Sequence, residues 1–341
     1  MNIIIKSFNR AFYLDRCLKS IENNVKGNYD IIILDDGTPS KFIEKLKIKY
    51  PNVCFNLSSQ VKEKQLAIES NLKNGTKIDG FKIPTDLWKI TVEKSDDYVL
   101  VIEDDVWFTK EINLNNIINQ MILYKIPLVK LGWLGNLNDE INFCEVKDLS
   151  VDLKSVIPKK IFTSNKFIMN LFMYNKYKFF TILYKLGIVD NYTKNKYWTL
   201  NSILMGLYHK DYWLSIWKDA KGLVDEKQQL RNAAVWYHNN KKVIFARTKE
   251  EVLKTTFQSS ATGSYHKGQE EFDVNRMNHI LNEAWYNDEF DSIENYPKDF
   301  SNDYIKKFLD KENHPDAQYQ EWFNWAEKFR QQYRTLGAEI D

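Results

Sequence analysis

The chain predicts an α/β fold: a mostly parallel central sheet flanked by helices, with a helical extension at its carboxyl end. Three observations lead there. Two aliphatic runs, residues 31–34 and 99–102, end abruptly in acidic residues. The segments between the apolar runs carry helical spacing. After about Gly268 the composition turns charged and aromatic, with helical candidates only.

The elements follow in order. Residues 2–5 read as a strand, Ser7 to Arg10 as a polar turn, and residues 11–23 as a helix through Phe12, Leu14, Leu18 and Ile21. Residues 30–34 form the next strand, which completes a βαβ unit with its acids at the carboxyl edge of a parallel sheet. Ligands of open α/β sheets bind at that edge. A glycine fingerprint is missing after the first strand, which argues against a dinucleotide-binding unit. Residues 42–50 predict a helix, 53–57 a short strand, and 62–72 and 87–93 further helices. Residues 99–102 form a buried strand, 114–124 a helix and 127–133 a strand. Residues 167–174 are expected as a strand, followed by helices at 178–186 and 197–208. The extension holds helices at 274–285, 303–310 and 317–334. Trp322, Trp325, Ala326 and Phe329 of the last one pack either on the main body or on another copy.

Glu103, Asp104 and Asp105 are consecutive carboxylates, tolerable where solvent, cationic side chains or a divalent ion compensates them. Strand alternation sends Glu103 and Asp105 one way and Asp104 the other. Two such acids at a strand end are suited to holding Mg²⁺ or Mn²⁺ against a diphosphate. A solvated acidic turn is the competing reading. Asp35 and Asp36 lead into a Gly-Thr-Pro turn at the second strand end. An acid there is placed to accept hydrogen bonds from a ribose or a base.

These residues carry a family resemblance. The opening Ile3 to Arg10, followed by Leu14, Cys17, Leu18, Ser20 and Ile21, resembles a family 2-type glycosyltransferase with the GT-A fold. Ile31 to Thr38 resembles its second-strand motif, and Ile102 to Val106 its metal-binding acidic motif. The resemblance covers roughly the first 110 residues. The chain departs from it at Lys6-Ser7, where Pro-Thr is more usual, and at Glu103, where Asp is.

The resemblance implies a GT-A catalytic domain over residues 1–268, with a donor-binding half at 1–110, an acceptor-side half at 127–268, and an extension at 269–341. It implies sugar transfer from a nucleoside diphosphate, a UDP-sugar being weakly preferred, to a glycan or glycolipid hydroxyl, with inversion and with Mn²⁺ or Mg²⁺. Asp105 is then the principal metal ligand, with Glu103 direct or through water and Asp104 orienting the sugar or ribose. Asp35 or Asp36 recognises the nucleotide, and Ser7, Asn9 and Arg10 lie near base or phosphates. The catalytic base is Asp190, before the 197–208 helix, with Asp139 and Glu140 as rivals. His266 and Lys267, in a small-residue loop with Gly263 and Gly268, are candidates for the metal shell and a phosphate contact. The different-class alternative is a non-catalytic carbohydrate-binding or scaffold protein that keeps the shell.

Bulk properties narrow the partners. Lys plus Arg number 48 against 46 Asp plus Glu, so extended tracking of nucleic acid is not expected. Cys17, Cys54 and Cys144 show no ligand spacing and read as reduced thiols of a cytoplasmic protein. No leader and no bilayer-spanning run is expected. The span from Phe167 to Leu186, rich in Phe, Tyr and Lys, is either packed into the body or laid on an anionic membrane surface.

Overall fold

The computed structural model describes residues 1–76, 78, 80–135, 139–202, 205–240, 243–261, 272–335 and 337–340. A nine-stranded sheet runs in the order Cys54–Leu57, Asp30–Asp35, Asn2–Ser7, Tyr98–Glu103, Met205–His209, Leu128–Lys130, Phe245–Thr248, Leu153–Pro158, Cys144–Asp148. The first four strands are mutually parallel. Beyond them Met205–His209 runs antiparallel to both of its neighbours. Phe245–Thr248 returns parallel to Leu128–Lys130, and the last two strands close the edge antiparallel. The sheet is thus mixed, with a parallel core at the amino-terminal end.

Its aliphatic runs are continuous because both faces are covered. Ile3, Ile5, Ile33, Leu100 and Ile102 join one apolar cluster. Ile4, Leu34, Val99 and Val101 join the other. The Ala11–Asn24 helix covers the first face, together with the Val274–Tyr286, Asn302–Glu312 and Tyr319–Thr335 helices. The Thr85–Lys94, Lys166–Met173, Lys210–Trp217 and Glu226–Asn239 helices cover the second. The carboxyl-terminal helices therefore share a core with the first four strands. Trp322, Trp325 and Ala326 are buried in that core, so the chain's own body takes up their apolar face.

Polar clamps hold the same junction. Asp15 accepts from Tyr50 Oη at 2.5 Å, Ser292 Oγ at 2.6 Å, and Lys49 Nζ and Trp285 Nε1 at 2.8 Å. Arg16 donates to the carbonyls of Ser292, Glu294 and Lys298 and lies over the Trp107 and Phe300 rings. The buried carboxylate of Asp15 and the Nη groups of Arg16 are tolerated because they find partners across the junction, while Arg16 Nε has none among the described residues.

Two segments differ from the sequence expectation. Residues 167–174 lie in the Lys166–Met173 helix rather than a strand: Asn165 caps it by accepting from Ile168 N at 3.1 Å, and Met169, Phe172 and Met173 face the core at helical spacing. The expected 197–208 helix is a short 3₁₀ turn, Tyr197–Leu200, and then the central strand Met205–His209. Its register decides this. Gly206 pairs with Val101 on one side and Lys130 on the other, and a Cβ there would meet the Tyr208 ring at 2.6 Å and Leu128 at 2.9 Å. Strands 144–148, 153–158 and 245–248 and helices 210–217 and 226–239 were not foreseen.

Candidate active site

Backbone bonds stitch the carboxyl ends of three parallel strands together. Asp36 N donates to Ser7 O at 3.0 Å, and Asp104 N donates to Lys6 O at 2.9 Å. Asp36, Glu103 and Asp104 consequently open into one cavity of about 410 Å³, with Lys6, Arg10 and Lys64 also in its wall. Phe8, Phe81 and Trp88 supply aromatic surface to it, and Ala261 and Asn275 close it from the far end of the chain.

The acidic motif is held by two cations from the first strand end. Lys6 Nζ pairs with Glu103 Oε1 at 2.6 Å and lies over the Trp88 ring at 4.7 Å. Arg10 bridges the other two acids: Nη1 reaches Asp105 Oδ2 at 2.6 Å, and Nη2 bonds Asp104 Oδ1. Asp104 also accepts from Ser7 Oγ at 3.1 Å and Phe8 N at 3.0 Å. Asn9, in the left-handed region at φ 52°, turns the chain so that Arg10 points back to the motif. The expected alternation fails because the strand ends at Glu103 and the chain turns. Asp104 and Asp105 therefore converge on one guanidinium.

Electrostatics follow the pairing. Burial pushes the Asp104 carboxyl up to about 7, against the pull of Arg10 and with a further push from Asp105. Burial also raises Asp105. Burial opposes ionisation of Glu103 too, but Lys6 outweighs it and holds that carboxyl below its usual range. Arg10 is opposed by burial, yet Asp104, Asp105 and Glu103 hold its charge more firmly than in water.

Asp35 and Asp36 separate into two roles. Asp35 is fully buried and accepts from Gly37 N at 3.0 Å, Thr38 N at 2.9 Å and Thr38 Oγ1 at 2.6 Å. Thr38 Oγ1 in turn accepts from Asn9 N at 2.8 Å, so Asp35 braces the turn against the first strand end. Burial pushes its carboxyl up to about 6. Asp36 faces the cavity and pairs with Lys64 at 2.5 Å. Gly37, at φ 140°, permits the approach: a Cβ there would meet Lys64 Cβ at 2.7 Å.

The fit to a divalent ion rests on one atom. Asp105 Oδ1 is buried and has no hydrogen-bond partner among the described residues, which leaves a hard carboxylate oxygen available. Among the described residues no three His, Cys, Asp or Glu side chains are grouped to hold a metal, so diphosphate oxygens and water would complete the shell. His266 and Lys267 lie outside the described residues; Ala261, just before that stretch, is in the cavity wall.

The other expected site residues lie elsewhere. Asp190 accepts from Tyr192 N, Thr193 Oγ1 and Lys196 Nζ at 2.9, 2.9 and 2.6 Å, forming a local turn away from the cavity wall. Although partial burial opposes it, Lys196 holds this carboxyl below its ordinary value, unlike a poised base. Asp139 and Glu140 begin the Asp139–Phe143 π-helix, and their side chains are outside the described set.

A different acid, Glu226, shares Tyr333 as a neighbour with the motif. Glu226 opens the Glu226–Asn239 helix, capped by Asp225, whose Oδ1 accepts from Gln228 N at 3.0 Å. Its neighbour Val224 lines the cavity. Burial pushes the Tyr333 phenol up, and Glu226, Asp105 and Glu103 push it further, so Tyr333 feels all three carboxylates. Glu226 is itself raised by partial enclosure and by Asp225. Asp225 ahead of the apolar spacing Leu230, Ala233, Ala234 is a helix-start signal that could have flagged it.

Residues 2–65 match the sequence profile described as glycosyl transferase family 2. No curated protein matches. Solved structures resemble the chain at low identity. Residues 1–349 of S. aureus TarS, in complex with UDP-GlcNAc, are 10% identical over 98% of this chain and 72% of that one, with a TM-score of 0.40. WbbM, a bifunctional glycosyltransferase, is 11% identical over 69% of this chain, which spans only 37% of the WbbM chain, with a TM-score of 0.35. The mannosyltransferase PcManGT of Pyrobaculum calidifontis, in complex with GDP-Man and Mn²⁺, is 11% identical over 38% of this chain and 34% of its own, with a TM-score of 0.28. Over residues 2–65, which begin with the βαβ unit, the chain is similar to glycosyl transferase family 2.

Proposed function

We propose that the protein is a nucleotide-sugar-dependent glycosyltransferase that moves a sugar to a glycan or glycolipid hydroxyl with inversion. The observation that carries this reading is the shared cavity of Asp36, Glu103 and Asp104 at the parallel strand ends, beside the family 2 match.

In this reading the nucleoside lies between the Asp36 side and the aromatic wall. Asp36 Oδ1 is buried close to Ser58 and, among the described residues, forms no hydrogen bond of full geometry, so it can accept from a base or ribose. Lys64 and Lys82 supply positive charge from the cavity wall. Mn²⁺ or Mg²⁺ bound at Asp105 Oδ1 would neutralise the charge that develops on the departing diphosphate. Arg10 keeps Asp104 and Asp105 fixed, and Asp104 orients the sugar or ribose. Glu226, rather than Asp190, takes the proton from the acceptor hydroxyl: its raised affinity for protons suits a base working near neutral pH. His266 and Lys267 are kept as candidates for closing over the diphosphate. A reducing cytoplasmic setting suits the free thiols of Cys17, Cys54 and Cys144.

The test is hydrolysis of nucleotide sugars with and without Mn²⁺, which needs no acceptor. UDP- and GDP-sugars, the donor types named for the TarS and PcManGT complexes, come first. Metal-stimulated release of UDP or GDP supports the reading. A folded protein that binds sugars and turns over none of the donors is instead the non-catalytic alternative.

A further inference from the structure

Residues 153–189 contain seven lysines and neither aspartate nor glutamate. The structure places much of the apolar content of this stretch in water. Tyr177 is 88% exposed, Phe167 70% and Leu186 66%, and Ile182, Tyr184 and Ile188 are exposed as well. So many exposed large apolar side chains in one short stretch of chain mark an interaction surface.

Local geometry sorts the side chains. The Phe179–Lys185 helix buries Leu183 and sets Lys178, Ile182, Lys185 and Leu186 along its outer side, at intervals of helical period. Before it, Asn175, Tyr177 and Lys178 adopt positive φ of 49°, 53° and 56°, so the chain turns sharply and Tyr177 becomes its tip. The inner side is anchored: Phe172 meets the Phe162, Phe180 and Tyr197 rings within 6.0 Å. Lys176, Lys178 and Lys185 are exposed and form no ion pair with a described residue.

Charge decides the occupant. A second copy seated on the same patch about a twofold axis would bring lysines against lysines. An anionic bilayer instead offers phosphates to the lysines and acyl chains to the apolar groups, with tyrosines at the headgroup level. We propose that this surface docks on an anionic phospholipid bilayer and so brings a lipid-linked acceptor to the cleft. The second half rests on the glycosyltransferase reading; the docking does not. The patch adjoins the cleft through one bond: Tyr174 Oη, at the end of the Lys166–Met173 helix, donates to Asp225 Oδ2 at 2.6 Å, and Asp225 caps the helix that begins at Glu226.

Sedimentation of the full chain with vesicles of phosphatidylcholine, with and without phosphatidylglycerol, tests the docking. Binding is expected only with phosphatidylglycerol, weakened by salt. The Lys176→Glu/Lys178→Glu/Lys185→Glu variant should bind at least roughly a hundredfold more weakly, at about 1 kcal/mol for each lysine lost. Ile182→Ser/Leu186→Ser should lose binding several-fold at high salt, whereas Ile48→Ser, an exposed apolar site elsewhere, should not. Circular dichroism and thermal melting confirm that the variants fold. Absent binding to anionic vesicles, or binding unchanged in the patch variants, overturns the proposal. So does a dimer in sedimentation velocity that the patch variants dissolve. Donor hydrolysis should be unaffected in all of these variants. Vesicle binding without donor hydrolysis would remove the enzymatic reading alone, and hydrolysis without vesicle binding would remove the docking alone.

Discussion

Arg10 Nη1 lies 2.6 Å from Asp105 Oδ2, and the same guanidinium bonds Asp104, so one side chain from the first strand end holds two acids of the motif. All three residues are buried. Among the described residues the bridge leaves Asp105 Oδ1 as a buried oxygen of the motif without a partner, which sets what each substitution should do.

Arg10→Met should destabilise the protein by about 3–5 kcal/mol, because it strands two buried carboxylates without their counter-charge. Urea unfolding near neutral pH measures this. Adding Asp104→Asn to the variant should recover part of the loss. An unchanged midpoint for the single variant would mean that solvent reaches the acids.

Asp105→Asn preserves shape and removes the charge that a metal needs. Titration calorimetry with Mn²⁺ in the presence of UDP or GDP should show most of the affinity lost, and donor turnover should fall with it. A folded variant with wild-type metal affinity would exclude Asp105 as the principal ligand.

Glu226→Gln should lower the rate of transfer by about 10²–10⁴-fold while nucleotide affinity stays within error, since a base acts on the acceptor proton and not on the donor. A base works deprotonated, so the rate should rise with pH through the carboxyl's pKa. Enclosure and Asp225 raise that pKa, so the acid limb should lie above the ordinary Glu value. In the variant that limb should disappear. Equal loss in Asp190→Asn with none in Glu226→Gln would return the role to Asp190.

Asp35 makes stability depend on pH in a defined direction. Its folded pKa is pushed up to about 6 by burial, above the ordinary carboxylate value of about 3.9. Between these values the native state keeps a proton that the unfolded chain has released. Stability from this group is therefore full at the acid end and falls as pH rises to about 6. Asp35→Asn keeps an acceptor for the Gly37 and Thr38 amides and should flatten this part of the curve in urea titrations. A slope identical to the wild type would show that Asp35 does not titrate there.

Much of the parallel half of the sheet is legible from residue order. An aliphatic run that ends in acids is a buried strand meeting a polar edge, and the Ala11–Asn24 helix, between the aliphatic runs at residues 3–5 and 31–34, can only cross back over the sheet. That logic located Asp36, Glu103 and Asp104, and the helical spacing of Trp322, Trp325 and Ala326 foretold an extension with one apolar face. Local pattern could not assign Met205–His209, whose Leu204 and Leu207 spacing reads as helix. It became a strand because two neighbouring edges and the closely packed Gly206 backbone outweigh intrinsic preference. Tertiary structure alone also separated Asp35 from its neighbour Asp36, one turned into a buried brace and the other toward the cavity. It paired Arg10 with acids more than ninety residues away and set Glu226 near Tyr333, a ring that also feels Asp105 and Glu103. Ion pairs and clefts depend on distances across space, which burial and strand pairing set; residue order limits only what each segment can become.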